Sequence, residues 1–268
     1  MAKGKLVGIP PRKFKVNVSE LEKNINTYYG NDKAITIFWN TLSMLFPEGE
    51  QFFVESVRKY RNDVMSDEQL QNEISGFIGQ EAFHTHAHVK VNEALEKKGY
   101  PVKRVNRILK KQLGFLRKKN PLLALYVTAI LEHYTATLAS QLIDDLDHNS
   151  KVTGESRNLW MHHAIEEIEH RAVSFDVLGR VAGGWIDEVR IGLFIPVSII
   201  FAGAVAVLYT YNLKKQDIKL TELVSILRLG QILFKNSPKL KDWFDRDFHP
   251  YDHQTDLSKA KAELGITD

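Results

Sequence analysis

The sequence has no cysteine among its 268 residues, which excludes disulfides, thiolate nucleophiles, zinc fingers and iron–sulfur clusters. Any metal must therefore sit on histidine and carboxylate, a donor set that suits iron, manganese or zinc. An excess of charge of one sign is also missing. With 36 basic and 33 acidic residues the net charge is +3, too balanced for a nucleic-acid binder. Convincing period-two strands are absent, as are a Gly-rich phosphate loop and a Gly-x-Ser-x-Gly elbow, so nucleophilic serine hydrolysis has no support. Met1 to Pro11 carries lysines but no apolar run of signal-peptide length, and reads as cytoplasmic.

What is there is helical. Apolar residues recur at three- and four-residue spacing from Ala34 to Phe46, and the interruption at Pro47 and Gly49 predicts a fresh helix from Glu48 to Tyr60. Ser66 is the expected N-cap of a long helix reaching Lys97 or Lys98, ended by Gly99 and Pro101. Pro121 opens another to Asp147. A polar turn from His148 to Gly154 follows, then a helix from Ser156 to Val181 that stops at Gly183-Gly184. The expected fold is all-α: a ferritin-like four-helix bundle with extra helices, including one long apolar C-terminal helix. The expected divisions are an N-terminal extension (1–31), a metal-binding bundle (32–184) and a C-terminal elaboration (185–268).

Two segments point to a membrane. No charged residue lies between Gly192 and Tyr211, a span close to the ~20 residues that cross a bilayer, although a buried core helix meets the same criterion. From Lys97 to Lys119 basic residues such as Arg104, Arg107, Lys110 and Lys111 accumulate without an acidic one, among Val105, Ile108, Leu109, Leu113, Phe115 and Leu116. That pattern is a basic amphipathic helix suited to a membrane surface.

The chemistry lies in two Glu-x-x-His pairs, Glu81 with His84 and Glu167 with His170. Each has a glutamate partner upstream. The midpoint of Glu50 and Glu81 falls at the turn between Met65 and Ser66, and that of Glu132 and Glu167 inside the polar loop, between Asn149 and Ser150. Two antiparallel hairpins would bring each pair of glutamates to one height, with Gly99 to Pro121 as the longer connection. One Glu from each of two helices plus Glu-x-x-His from each of the other two is the dinuclear carboxylate set of ferritin-like bundles. The expected cofactor is two metal ions, iron foremost, with manganese or zinc as alternatives.

This pattern, across roughly residues 48–178, resembles the diiron carboxylate proteins: ferritins, ribonucleotide reductase small subunits and bacterial multicomponent monooxygenases. The phrases Phe46-Pro47-Glu48-Gly49-Glu50, Glu81-Ala82-Phe83-His84 and Glu166-Glu167-Ile168-Glu169-His170-Arg171 resemble more closely a bacterial family named predicted metal-dependent hydrolases. His163 shares a helix face with Glu167 and His170. A third histidine there is similar to the p-aminobenzoate N-oxygenase group, and the resemblance implies that His163 is a further ligand. The expected metal set is thus Glu50, Glu81, His84, Glu132, His163, Glu167 and His170.

Other candidates rank behind these. His88 is expected beside the site or at the surface, and His86 points away. Glu166 could replace Glu167, and Glu55 rivals Glu50. Glu169 is expected on the opposite face, solvated or paired with Arg171, and Asp176 in a surface salt bridge. Phe248 to His253 is expected as a loop packed on the bundle. The leading functional expectation is an O2-dependent oxidation of a lipophilic molecule, with an electron donor, a membrane partner and a possible homodimer. Hydrolysis of an ester or phosphoester and non-enzymatic iron binding are the alternatives.

Overall fold

The computed structural model describes residues 8–145, 150–218, 222, 224–235 and 237–267. Among them the helices are α1 (Val18–Asn24), α2 (Lys33–Lys59), α3 (Glu68–Lys97), α4 (Val102–Lys119), α5 (Pro121–Asp144), α6 (Gly154–His170), α7 (Val173–Val181), α8 (Ile186–Lys215), α9 (Val224–Lys235), α10 (Ser237–Lys241) and α11 (Ser258–Leu264). The only extended pairing among the described residues is an isolated antiparallel bridge between Tyr29 and Val152.

Local chemistry sets the ends. Asp32 caps α2 by accepting from the Ile35 N–H, Asp67 caps α3 through the Leu70 N–H, and Asn120 caps α5 through the Leu123 N–H, where Pro121 fills the first position. The α3 cap thus falls one residue after the expected Ser66. α5 ends at Asp144 rather than Asp147, and part of the expected loop, 146–149, lies outside the described residues.

Pro47 does not break its helix, contrary to expectation: α2 runs continuously through it. A proline frees the carbonyl four residues earlier. Here that carbonyl belongs to Ser43, and the Asn92 side chain of α3 donates to it at 2.9 Å. The neighbouring helix therefore satisfies the group that the missing N–H leaves open, and both residues are buried. The expected helix to Val181 is instead two. The Ile168 carbonyl, which a continuous helix would bond to the Ala172 N–H, accepts from the Arg171 guanidinium, and α6 stops at His170.

α2 packs along α3 and α5 along α6, and α2–α5 and α3–α6 contacts close the square. Ser43 meets Asn92, Glu50 meets Thr85 and Arg61 meets Gln71, which makes α2 and α3 antiparallel. The residues ahead of α1 cross α3 at two glycines. A Cβ at Gly76 would lie 2.2 Å from the Ile9 carbonyl oxygen, and one at Gly79 would lie 2.4 Å from Pro11 Cγ. Both positions must be glycine for that crossing to exist.

α4 and α8 both pack on α2 and α5, covering the same side of the bundle. The two long apolar helices are α5, mostly buried, and α8, of which only a narrow stripe is covered. Arg190, Phe194, Val205, Tyr209 and Asn212 of α8 face the bundle, while Ile199 (67% exposed), Ile200 (72%) and Val207 (74%) face outward. Beyond α8 the described residues form only the short α9 to α11, of which α9 is apolar but 12 residues long, so no further long apolar helix follows among them. Phe248, Pro250 and Tyr251 pack onto the bundle beside a short capped turn, as expected of a loop.

Candidate metal centre

The structure brings the seven expected residues together at mid-height of the bundle, all of them at most 5% exposed. Glu50 comes from α2, Glu81 and His84 from α3, Glu132 from α5, and His163, Glu167 and His170 from α6. His170 Nε2 lies 3.1 Å from Glu81 Oε1, 3.4 Å from Glu132 Oε2 and 3.5 Å from Glu167 Oε2. On the other side, His163 Nε2 is 2.9 Å from Glu167 Oε1 and 4.0 Å from Glu50 Oε1. The His84 and His163 rings stack with centroids 4.0 Å apart.

Among the described residues, donor atoms converge in four groups of three: Glu81–Glu132–His170, Glu50–Glu81–His84, His84–His163–Glu167 and Glu50–His88–His163, each within 4.8 Å. Glu81 belongs to two of these groups, and Glu167 reaches histidines on both sides. Such clusters give the protein the capacity for one or two metal ions. Many of these buried atoms make no hydrogen bond: Glu50 Oε1, both oxygens of Glu81 and of Glu132, Glu167 Oε2, both nitrogens of His84 and His170 Nε2. Buried polar atoms are rarely left so. Cations would take up these atoms and balance the carboxylates, so the residues present fit a metal centre.

The electrostatics agree. Burial, then the neighbouring Glu81, pushes the Glu50 carboxyl well above the usual range. Burial does the same to Glu81 against the opposing pull of His170, and raises Glu132 to about 7. Burial would also raise Glu167, but His170 and His163 outweigh it and hold that carboxyl well below 4.5. His170 moves the other way: burial disfavours its cation, yet Glu167 and Glu132 raise it well above 6.5. Burial, then His163, lowers His84 and His88.

Hydrogen bonds orient the imidazoles. His163 Nδ1 and His88 Nε2 are 2.8 Å apart, and His88 Nδ1 is 2.8 Å from Ser43 Oγ, which donates to Asn92 Oδ1 at 3.0 Å. Because Asn92 Oδ1 only accepts, the serine must accept from His88 Nδ1–H, and His88 Nε2 must accept from His163 Nδ1–H. His163 thereby turns the Nε2 lone pair toward the carboxylates. Likewise His170 Nδ1 donates to Gln80 Oε1 at 3.0 Å, while Gln80 Nε2 donates to Glu169 Oε2 at 2.8 Å. Partners that fix a ligand's free ring nitrogen in this way are what metal sites require.

The remaining candidates fall partly as expected and partly not. Of the two placements expected for His88 the structure shows the one beside the site: it is fully buried against His163. Glu169 is neither solvated nor paired with Arg171. It lies 3% exposed and receives two bonds from Arg12, one from Gln80 and an ion pair with Lys261. Arg171 instead donates to the Pro250 carbonyl and stacks on Tyr251. Glu166, raised by burial to about 7 despite Arg12, sits 2.9 Å from His84 Nε2 without hydrogen-bond alignment. His86 is exposed, Glu55 pairs with Arg117, and Asp176 pairs with His249 at 2.9 Å near the surface.

A narrow cavity of about 40 Å³ opens beside the centre. Its wall is largely apolar, with Leu42 and Phe46 from α2, Leu138 from α5 and Phe201 from α8, and it ends on His163 and Glu167. No curated protein and no solved structure matches the chain. A family model described as predicted metal-dependent hydrolase matches residues 10–254, from the crossing segment through the aromatic turn beyond α10. The chain, a ferritin-like helical protein with clustered glutamates and histidines, belongs to that family of predicted metal-dependent hydrolases.

Proposed function

We propose that the protein is a dinuclear metal-dependent hydrolase of an ester or phosphoester carried by a lipophilic molecule, working at a membrane surface. The observation that carries this reading is a pair of donor groups sharing Glu81, one with Glu132 and His170 and the other with Glu50 and His84, beside an apolar cavity. The family description favours hydrolysis. In this reading Glu132 and His170 would hold one ion, Glu50, His84 and His163 would hold the other, and Glu81 and Glu167 lie within reach of both groups. Two bound divalent cations would acidify a water and polarise the ester carbonyl or phosphoryl oxygen. The chain's own work is positional. His88 and Gln80 aim the imidazoles of His163 and His170, Thr85 donates to Glu50 Oε2 at 2.9 Å, and Phe46 with Leu138 keeps bulk water from one side.

The outward face of α8 supports the membrane part. Its exposed residues from Gly192 to Tyr211 carry no charge, whereas a solvated monomer rarely shows a large contiguous apolar patch. Trp185, 75% exposed, and Tyr211 flank that face, as aromatics do at a bilayer boundary. On α4, Arg104, Arg107, Lys110 and Lys111 are exposed and make no ion pair among the described residues, which suits anionic headgroups. A helix strapped along the bundle cannot cross the bilayer without taking those cations into hydrocarbon. α8 therefore lies in the membrane plane, half embedded.

A second reading is O2-dependent oxidation of a lipophilic substrate, with iron and an electron donor. It is favoured by a carboxylate-rich donor set with three histidines in a ferritin-like bundle. One experiment separates the two: metal analysis of the purified protein, then turnover of long-chain esters and phosphoesters under argon with zinc or manganese. Hydrolysis without O2 supports the first reading. Turnover that needs ferrous iron and O2 replaces it with the second.

A further inference from the structure

We infer that the cavity between α2, α5 and α6 takes the hydrocarbon chain of a membrane lipid, which reaches it beneath α8 past Phe201 and presents its reactive end at His163 and Glu167. The inference rests on the membrane-surface reading above and names the substrate class: a lipid bearing a long acyl or alkyl chain.

The wall imposes this choice. Trp39, Leu42, Phe46, Leu138 and Phe201 supply apolar surface. The two lining hydroxyls have their protons committed: Tyr134 Oη donates to Ser198 Oγ at 2.7 Å, and Thr135 Oγ1 donates to the Glu132 carbonyl at 3.0 Å. A polar headgroup would find few partners along this largely apolar path, whereas a methylene chain asks for none. The lumen, about 40 Å³, is narrower than sites that enclose compact ligands, which run to several hundred Å³. A thin chain fits such a slot once the partly exposed Leu138 and Phe201 turn aside.

Position matters as much as polarity. Phe201 lies on α8 between the outward-facing Ile200 and the bundle-facing Val205, so the mouth opens where the helix's apolar face meets the protein. A chain leaving the bilayer there stays out of water until it reaches Glu167. Substrate would come laterally from the membrane rather than from solution.

The test uses the protein's own tryptophans. Trp39 and Trp160 line the cavity, while Trp185 projects beside the membrane face. The full chain is mixed with vesicles of phosphatidylcholine and phosphatidylglycerol brominated on the acyl chains, and tryptophan quenching is read with no metal added. The expected result is quenching that persists in Trp185→Phe and is lost when Ala139→Phe fills the cavity in that background. Phe201→Ala, at a partly exposed site, should increase it and serves if Ala139→Phe does not fold. Quenching of wild type that vanishes in Trp185→Phe shows docking without chain uptake and overturns the inference. Quenching unchanged by both Ala139→Phe and Phe201→Ala overturns it as well, since the signal then comes from elsewhere. No quenching in any variant overturns uptake and membrane docking together. Hydrolysis of short soluble esters with no chain uptake would leave the hydrolase reading standing alone.

Discussion

His88 Nε2 and His163 Nδ1 lie 2.8 Å apart inside the bundle, and the serine and asparagine behind His88 dictate which ring carries the shared proton. His88 is therefore a positioning residue. His88→Leu should weaken metal affinity about 10–100-fold, the range seen when such orienting partners are removed. His88→Gln, whose side-chain oxygen can still accept from His163, should lose less. Calorimetric metal titration of the folded variants checks both, and equal losses would remove the orienting role.

pH should act on the metal-free protein in a defined direction. Burial raises the folded Glu132 carboxyl to about 7, against 4.5 in an open chain, and Glu50 and Glu81 are raised as well. The folded state therefore holds protons that the unfolded chain has released, so its stability falls as pH rises. His170, raised well above 6.5, adds to that fall. His84 and His88, depressed by burial, oppose it only below about 6.5, where the unfolded chain would protonate them. Above pH 6.5 the metal-free melting temperature should drop, and the gain from added metal should grow. Thermal melts with chelator or metal from pH 6.5 to 8 test this, and a flat metal-free profile would contradict it.

Asn92 and Pro47 should be coupled. Asn92→Ala strands the Ser43 carbonyl that Pro47 has freed, a loss of about 1–3 kcal/mol for a buried unsatisfied group. Pro47→Ala supplies the missing N–H, so the same Asn92 change should cost less in that background. Urea denaturation of the four proteins in a double-mutant cycle measures the coupling. Strict additivity would show that the two residues do not share that carbonyl.

Arg12 should matter to stability more than its place ahead of α1 suggests. Its guanidinium donates twice to the buried Glu169. Arg12→Ala leaves that carboxylate with Gln80 and Lys261, so the expected cost is about 1–3 kcal/mol rather than that of a fully abandoned charge. Denaturant titration gives the value, and a change near zero would mean that the remaining partners suffice.

Membrane docking should depend on two separable features. Ile199→Asp with Ile200→Asp, both on the exposed face of α8, should abolish flotation with anionic vesicles while leaving the melting temperature unchanged. Replacing Lys110 and Lys111 by Gln should weaken flotation chiefly at low salt, because such attraction decays within a Debye length, about 10 Å at 0.1 M. Persistent flotation of the α8 variant would place the contact elsewhere.

The helices and their pairing were legible because apolar periodicity, Pro121, and Gly99 with Pro101 act locally. The convergence of Glu50, Glu81, Glu132 and Glu167 followed from antiparallel register, which counting residues about a turn reproduces. What spacing could not supply depended on distant partners. Pro47 reads as a helix break until Asn92, on another helix, is known to satisfy Ser43. Glu169 reads as solvated or paired with Arg171 until Arg12 and Lys261 arrive from segments on either side of the bundle in the sequence. The spacing leaves His88 open between the site's edge and the surface until α6 places His163 against it.

Glu169 is where two segments far apart in the sequence meet, Arg12 from ahead of α1 and Lys261 from α11. The segment bearing Arg12 can seat only after α3 has formed the glycine notch and α6 has delivered the carboxylate. The chain closes on itself like a clasp over one buried anion, next door to His170. Loss of either the segment bearing Arg12 or α11 would therefore remove part of the latch behind the centre.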